Sequence, residues 1–290
     1  MRITNKFNLP EPVMKALTQD SYSRGESDRS VTQLIDSPRK QILCRFHQDE
    51  IEEDCTDRLW SVFGTAVHNI FEDYGDIEHI AEERLFFDVD GWRISGAIDL
   101  QKGTHIMDYK VTSVWSVIYD KPEWHNQLNA YAWLVEHAKG VQINQLTIVA
   151  VLRDWKKREA ETRQGDYPES PIVLVDIPLW DKNIREQYMA ERISLHQKAE
   201  FDHLTGEELP LCTDQERWLK PKKFAVKKPK NKRADRVFDT QQEAEDYIAN
   251  PLSSSNLVIE ERVSEPIRCN KYCDASPWCT QQKEWLENEG

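Results

Sequence analysis

The sequence predicts an α/β domain, a sheet flanked by helices, followed by a smaller C-terminal appendage. Three observations lead there. Apolar residues recur at helical spacing over 30–46 and again over 59–71. Residues 84–111 read as three successive strands. Beyond Leu204 the chain becomes rich in Pro, Lys and Arg and ends in a group of cysteines.

Residues 1–29 are polar and are expected to form a loosely held, irregular arm. Ser30-Val-Thr-Gln33 then offers an N-cap with Gln three positions on, the pattern of a capping box. Pro38 interrupts that helix, and a second helical stretch follows through Ile42 and Phe46. Thr56 or Asp57 is placed to cap the next helix, whose Leu59, Trp60, Phe63, Val67, Ile70 and Phe71 predict a buried stripe.

Strands are expected over 84–90, 92–100 and 105–111, the first two joined by a turn at Asp90-Gly91. A helix over 122–138 starts at a proline, strands follow over 141–152 and 172–178, and a long amphipathic helix covers 180–203. Helices, a strand meander, a helix, a strand and more helices make a sheet with helical layers. The domain is therefore set at 30–204 and the appendage at 205–290. Within the appendage, Phe224-Ala-Val and Arg236-Val-Phe pair as a basic hairpin. Thr240 caps a helix over 241–249, residues 250–256 form a loop, and a further strand lies over 257–263.

The 290 residues suffice for one large domain with an appendage, and 39% apolar content supports a core. No run of about 18 apolar residues occurs, so no membrane span is expected. The first ten residues lack an apolar segment of the secretory kind, which points to the cytoplasm. Disulfides are a poor reading of the six cysteines in that setting. The net charge of −13 argues against a nucleic-acid partner, but the charge is unevenly spread. Residues 217–236 carry ten Lys or Arg and one acid, Asp235. Such an element can grip phosphates, or can simply be a solvated loop.

The chemistry centres on residues 92–111. If Gly103-Thr104 is a two-residue II′ turn, Lys102 opposes His105, Leu100 opposes Met107 and Asp99 opposes Asp108. Opposed residues share a face, and Lys110, two beyond Asp108, shares it too. Two carboxylates so close repel unless one is protonated or a divalent cation lies between them. Carboxylate and phosphate oxygens suit Mg²⁺ or Mn²⁺, and a lysine beside them can orient a water or stabilise a transition state. That set is sufficient to hydrolyse a phosphodiester. An isolated D-x-K is common and is usually surface charge. Here Ile94, Ile98, Ile106, Met107 and Val111 make the hairpin apolar, so charges within it need partners.

The motifs around this pair resemble those of RecB-type PD-(D/E)XK nucleases. Gly64-Thr-Ala-Val-His68 resembles their helical G-x-x-x-H, Gly96-Ala-Ile-Asp99 their G-x-x-D strand, Asp108-Tyr-Lys110 their D/E-x-K strand, and Gln127-Leu-Asn-Ala-Tyr131 their Q-x-x-x-Y helix. The four occur in the family's order, across residues 60–150. The resemblance implies a restriction-endonuclease-like core of a mixed sheet flanked by helices. It implies that His68, Asp99, Asp108 and the carbonyl of Tyr109 bind metal. Lys110 would assist the nucleophilic water, and Gln127 and Tyr131 would border the site. More broadly, Ser30-Val-Thr-Gln-Leu-Ile, Glu216-Arg-Trp with its basic hairpin, and the terminal cysteines resemble RecB-like exonucleases of bacteriophages. These are thought to process DNA ends in replication, recombination or repair, in the host cytoplasm.

Cys269-x₃-Cys273-x₅-Cys279 supplies three close thiols. Relatives in that family place such a trio on a [4Fe–4S] cluster, whose fourth cysteine precedes the nuclease motifs. This chain has Ser37-Pro-Arg39 where Cys-Pro-Arg is expected, with Cys44 seven residues on. Cys212 is the preferred fourth ligand and Cys44 stays open. Four thiolates also suit Zn²⁺. DNA contacts are assigned to Lys220, Lys222, Lys223, Lys227, Lys228, Lys230, Lys232 and Arg233, with Trp218, Phe224 and Phe238 interleaved. The leading expectation is a metal-dependent exonuclease acting on free DNA ends, with recombination or replication proteins as further partners. The alternatives are a structure-specific or nicking endonuclease with the same site, a non-catalytic DNA-binding scaffold, and a zinc-stapled interaction protein.

Overall fold

The computed structural model describes residues 1–19, 25–74, 80–163, 165–250, 254 and 256–289, with side chains withheld for 80–82 and 289. The chain divides into two compact units. Unit 1 is Met1–Ile42 with His47–Leu209, and unit 2 is Leu43–Phe46 with Pro210–Gly290.

Unit 1 is built on a mixed six-stranded sheet with helices against it. Strand β1 (Arg29–Ser30) leads into α1 (Val31–Leu34), capped by the Ser30–Gln33 box that the sequence announces. Helix α2 is Leu59–Asp73, followed by β2 (Ile80–Val89), β3 (Trp92–Lys102) and β4 (His105–Thr112). Helix α3 (Pro122–Lys139) crosses from β4 to the parallel strand β5 (Gln145–Leu152). Strand β6 (Ile172–Asp176) closes the edge, and α4 (Lys182–Thr205) returns along the core. The order is β1-β3-β4-β5-β6, with β2 also paired to β3. Parallel β4 and β5 need such a helical crossover, which is why α3 lies where it can reach the β4 side chains.

Two turns fix the register. Asp90 and Gly91 both take positive φ, at 50° and 78°, as a type I′ turn requires, and they set Arg84 opposite Ala97. Gly103 has φ of 57°, and the ladder then pairs Lys102 with His105, Gln101 with Ile106 and Leu100 with Met107. The core gathers Val31, Leu34, Ile94, Ile98, Ile106, Leu128, Leu134, Ile148, Met189 and Ile193, all essentially sealed from solvent. A polar anchor crosses it: Arg185 of α4 clasps Glu136 of α3 through two bonds of 2.7 and 2.8 Å.

Three expectations are corrected. The arm is ordered where it is described: Arg2–Thr4 pairs in parallel with Glu52–Asp54, and Glu11–Thr18 is helical. Asp54 holds it by accepting from the Lys6 N–H at 2.8 Å and the Thr4 hydroxyl at 2.9 Å, a long-range tie that no local pattern reveals. Asp54 also caps the turn Cys55–Arg58 that leads into α2, the task assigned to Thr56 or Asp57. The α2 stripe is not buried. Leu59, Trp60, Phe63 and Ile70 are exposed, while α2 meets β4 through His68 and Phe71, where Phe71 packs on Tyr109 at 4.9 Å between ring centres.

In unit 2, β7 (Lys223–Lys227) pairs with β8 (Arg236–Phe238) as the expected hairpin, and β9 (Val258–Arg262) joins the other edge of β7. Helix α5 (Gln241–Ala249), capped by Thr240 with Glu243, covers a small core of Phe224, Val226 and Ala244. The loop expected over 250–256 lies mostly outside the described residues. Among the described residues no helix is long and apolar enough to cross a membrane.

Candidate active site

The site forms where β3 and β4 part. Their backbone ladder runs from the turn to Leu100–Met107. Beyond it the Asp99 carboxylate takes over, accepting the Tyr109 N–H at 2.8 Å, while β4 turns its own ladder to β5. Asp99 and Asp108 therefore face one cleft of about 490 Å³, lined also by His68, Lys110, Gln127 and Tyr131.

Both acids are buried, Asp99 to 9% exposure and Asp108 to 1%. Burial first, and the charge of Asp108 second, push the Asp99 carboxyl up to about 7. The Lys110 ammonium lies 2.6 Å from Asp108 Oδ2. Burial pulls Lys110 down, but Asp108 and Asp99 outweigh it and hold it above the ordinary lysine range. Asp108 Oδ2 is otherwise sealed without an aligned donor among the described residues. Its other oxygen accepts from Gln127 Nε2 at 3.1 Å, and that same amide reaches the Tyr131 hydroxyl at 3.1 Å. Gln127 and Tyr131 stand four apart on one face of α3, as their spacing predicts.

His68 comes from α2. Its Nε2 is 2.9 Å from the Tyr109 carbonyl and its Nδ1 is 3.5 Å from Asp99 Oδ2. The tyrosine carbonyl, the imidazole and the Asp99 carboxylate thus meet at one end of the cleft. Among the described residues, no three His, Cys, Asp or Glu side chains are drawn together as a finished metal site. The donor chemistry nonetheless fits a divalent cation. Two buried carboxylates with one lysine leave negative charge in excess, and Oδ2 of Asp108 wants a further positive partner.

Gly96 explains how closely α3 sits. A Cβ there would lie 2.8 Å from Leu134 Cδ2 and 3.0 Å from the Tyr131 ring. Gly64 of the helical motif has open space instead, so no contact in this structure requires it. Two charged lining residues lie outside the sequence motifs, Glu72 and Arg84. Glu72 follows His68 by one helical turn, and Arg84 lies on the strand that the Asp90-Gly91 turn brings alongside β3, so both had a signal in spacing.

A model of the PD-(D/E)XK nuclease superfamily matches residues 26–280. The chain belongs to the PD-(D/E)XK nuclease superfamily. Its sheet and flanking helices are the restriction-endonuclease-like core of that superfamily, with Asp99 on β3 and Asp108 and Lys110 on β4. Solved structures with a similar fold include SSO0001, 16% identical over 63% of this chain and 84% of that one, with a TM-score of 0.41. The alkaline exonuclease of Laribacter hongkongensis is 13% identical over 61% and 91%, with a TM-score of 0.34. A phage related exonuclease of Haemophilus somnus is 14% identical over 69% and 85%, with a TM-score of 0.30. No curated protein matches the sequence.

The residues assigned to DNA and to a cluster all lie in unit 2. Three of the lysines are engaged with acids of the same sheet: Lys222 with Glu261 at 2.6 Å, Lys223 with Asp239, and Lys227 with Glu260. Lys228, Lys230, Lys232 and Arg233 are exposed on the loop between β7 and β8. Cys212, Cys269, Cys273 and Cys279 share this unit, and so does Cys44 through Leu43–Phe46. Cys212 is tied to Gln281 by two bonds of 2.9 Å, two residues past Cys279. The guanidinium of Arg217 is buried over Trp285 at 4.6 Å, with Nε and Nη2 lacking an acceptor among the described residues.

Proposed function

We propose that this protein is a Mg²⁺- or Mn²⁺-dependent deoxyribonuclease that removes nucleotides from DNA ends, in the cytoplasm and in the service of recombination, replication or repair. The observation that carries the reading is the buried Asp99–Asp108 pair, charge-imbalanced and facing a cleft beside a protonated lysine. His68, Asp99, Asp108 and the Tyr109 carbonyl would hold the cation. When bound, it supplies a more acidic water and charge neutralisation at the phosphate. Lys110 keeps its proton and so acts by charge and donation, orienting the attacking water and stabilising the phosphorane-like oxygens. Gln127 fixes the Asp108 carboxylate through Oδ1, leaving Oδ2 for the reacting side, and Tyr131 steadies Gln127.

The test uses end-labelled linear DNA and closed circular DNA with Mg²⁺, Mn²⁺ or EDTA. Metal-dependent loss of label from linear DNA, with circles intact, is expected. Nicked circles would replace the end-acting reading with an endonuclease that uses the same residues. No cleavage with any metal would end the nuclease reading.

In unit 2, we assign phosphate contacts first to Lys228, Lys230, Lys232 and Arg233, whose loop is exposed. Lys220, Lys222, Lys223 and Lys227 serve as the flanking charge. Cys212, Cys269, Cys273 and Cys279 are proposed to hold a [4Fe–4S] cluster, or Zn²⁺, as a structural staple. Cys44 competes with Cys212 for the fourth place. An anionic thiolate group would also answer the unmet guanidinium of Arg217. A brown protein with absorbance near ~400 nm and bound iron is expected. A colourless protein containing zinc would select the other metal.

A further inference from the structure

We propose that Trp60 and Trp115 form a stacking surface that receives unpaired bases and delivers single-stranded DNA to the site, an inference that rests on the nuclease reading above. Both indoles stand in the open, Trp60 at 51% exposure and Trp115 at 48%. Each carries a guanidinium over its face: Arg153 lies 4.3 Å from the Trp60 ring centre and Arg163 lies 6.0 Å from that of Trp115. Tyr119, also exposed, stacks on Trp115 with ring planes 17° apart.

The sheet places both pairs together. Parallel β4 and β5 end side by side at Thr112 and Leu152. Just past those ends, the Arg153 N–H donates to the Thr112 carbonyl at 2.9 Å and the Val114 N–H donates to Asp154 at 2.7 Å. Arg153 and Trp115 therefore flank one clasp. The clasp lies past Thr112, two residues beyond Lys110 on the same strand, about 7 Å along it. That is on the order of one nucleotide step from the proposed chemistry.

The charge selects the occupant. Between residues 153 and 163 there are five Lys or Arg and three acids, in a chain whose net charge is −13. The centre of a protein-docking face is depleted in charge. An aromatic ring with a guanidinium parked on it offers stacking and a phosphate contact at once, the combination that tracks single strands. A duplex hides its base faces, so only unpaired bases can use it.

The experiment is fluorescence anisotropy in EDTA, so that no hydrolysis is needed. The full chain is titrated with a labelled single strand of about 20 thymidines, with an abasic strand of equal length, and with duplex. The wild type should prefer the thymidine strand to the abasic one by about tenfold or more. Trp60→Ala with Trp115→Ala should erase most of that preference while leaving abasic affinity in place, and Trp→Phe at both positions should keep it. Both side chains are half exposed, so truncation leaves no buried cavity, and circular dichroism checks the fold. Equal wild-type affinity for the two strands, or an undiminished preference in the Ala double variant, overturns the proposal. So does a wild-type dimer that the double variant dissociates with its base preference intact, which would make this face a contact between copies. Binding that behaves as expected in a protein that cleaves nothing would spare this inference and end the nuclease reading instead.

Discussion

Unit 1 buries several carboxylates, and two of these places are treated in opposite ways. Glu136, at 9% side-chain exposure, is matched by Arg185, at 4%, and both its oxygens accept from one guanidinium nitrogen. Asp99 and Asp108 are buried as deeply but share one lysine, and burial first, with the charge of Asp108 second, pushes the Asp99 carboxyl up to about 7. The first arrangement is closed: charge is balanced where two helices cross. The second is left open, with negative charge to spare at the mouth of a cleft. A protein can tolerate such an imbalance only where the rest of the fold holds it in place, and active sites are where it is found.

The largest expected effect breaks the balanced pair. Arg185→Ala leaves Glu136 buried and uncompensated and should cost about 3–5 kcal/mol, read as a lower urea midpoint. Arg185→Met together with Glu136→Leu should recover most of that loss, since both charges are then gone. Next in size is the imbalanced pair, where the loss should fall on rate. Asp108→Ala and Lys110→Ala should each lower cleavage of linear DNA by about 10²–10³-fold with the fold intact. Activity in Asp108→Ala equal to wild type would detach the chemistry from this site.

A smaller effect has the opposite sign. The folded state binds the Asp99 proton more tightly than the unfolded chain does. That contribution is full below about pH 4 and is lost as pH rises through about 7. In EDTA at pH 8, Asp99→Asn should therefore be more stable than wild type, by about 1–3 kcal/mol, and the advantage should shrink at pH 5. Adding Mg²⁺ should stabilise the wild type and not the variant. An Asp99→Asn protein less stable than wild type at pH 8 would mean that the carboxylate is already balanced, and the contrast with Glu136 would fail.

The features legible in the sequence were those set by local rules. Gly103-Thr104 gave the register, the register put Asp99 beside Asp108, and four-residue spacing put Gln127 and Tyr131 on one face of α3. What escaped depends on partners far along the chain. The tie from Asp54 to Thr4 and Lys6 spans about fifty residues, so the first segment read as an arm. Helix α2 has the periodicity of a buried helix, but periodicity does not say whether a neighbour covers that face. The run of basic residues over 217–236 hid the acids of β9 and Asp239, which meet Lys222, Lys223 and Lys227 only once the sheet forms.

The smallest effect asks how far the imbalanced site depends on the turn that revealed it. Gly103 sits at φ of 57°, and a Cβ there would meet nothing within 4 Å. The cost of Gly103→Ala is therefore conformational, about 1 kcal/mol, and Gly103→Asn should cost less because Asn tolerates that region. Cleavage should be unchanged in both. The ladder from Lys102–His105 to Leu100–Met107 and the Tyr109 N–H to Asp99 bond hold the two carboxylates together without help from the glycine. Gly96→Ala is the contrasting variant, since its Cβ would collide with Leu134 and press on Tyr131. It should lower activity by displacing Gln127 and Tyr131 from Asp108. If Gly103→Ala instead abolished cleavage at near-normal stability, the turn would be holding the two carboxylates in place as well as setting the strand register.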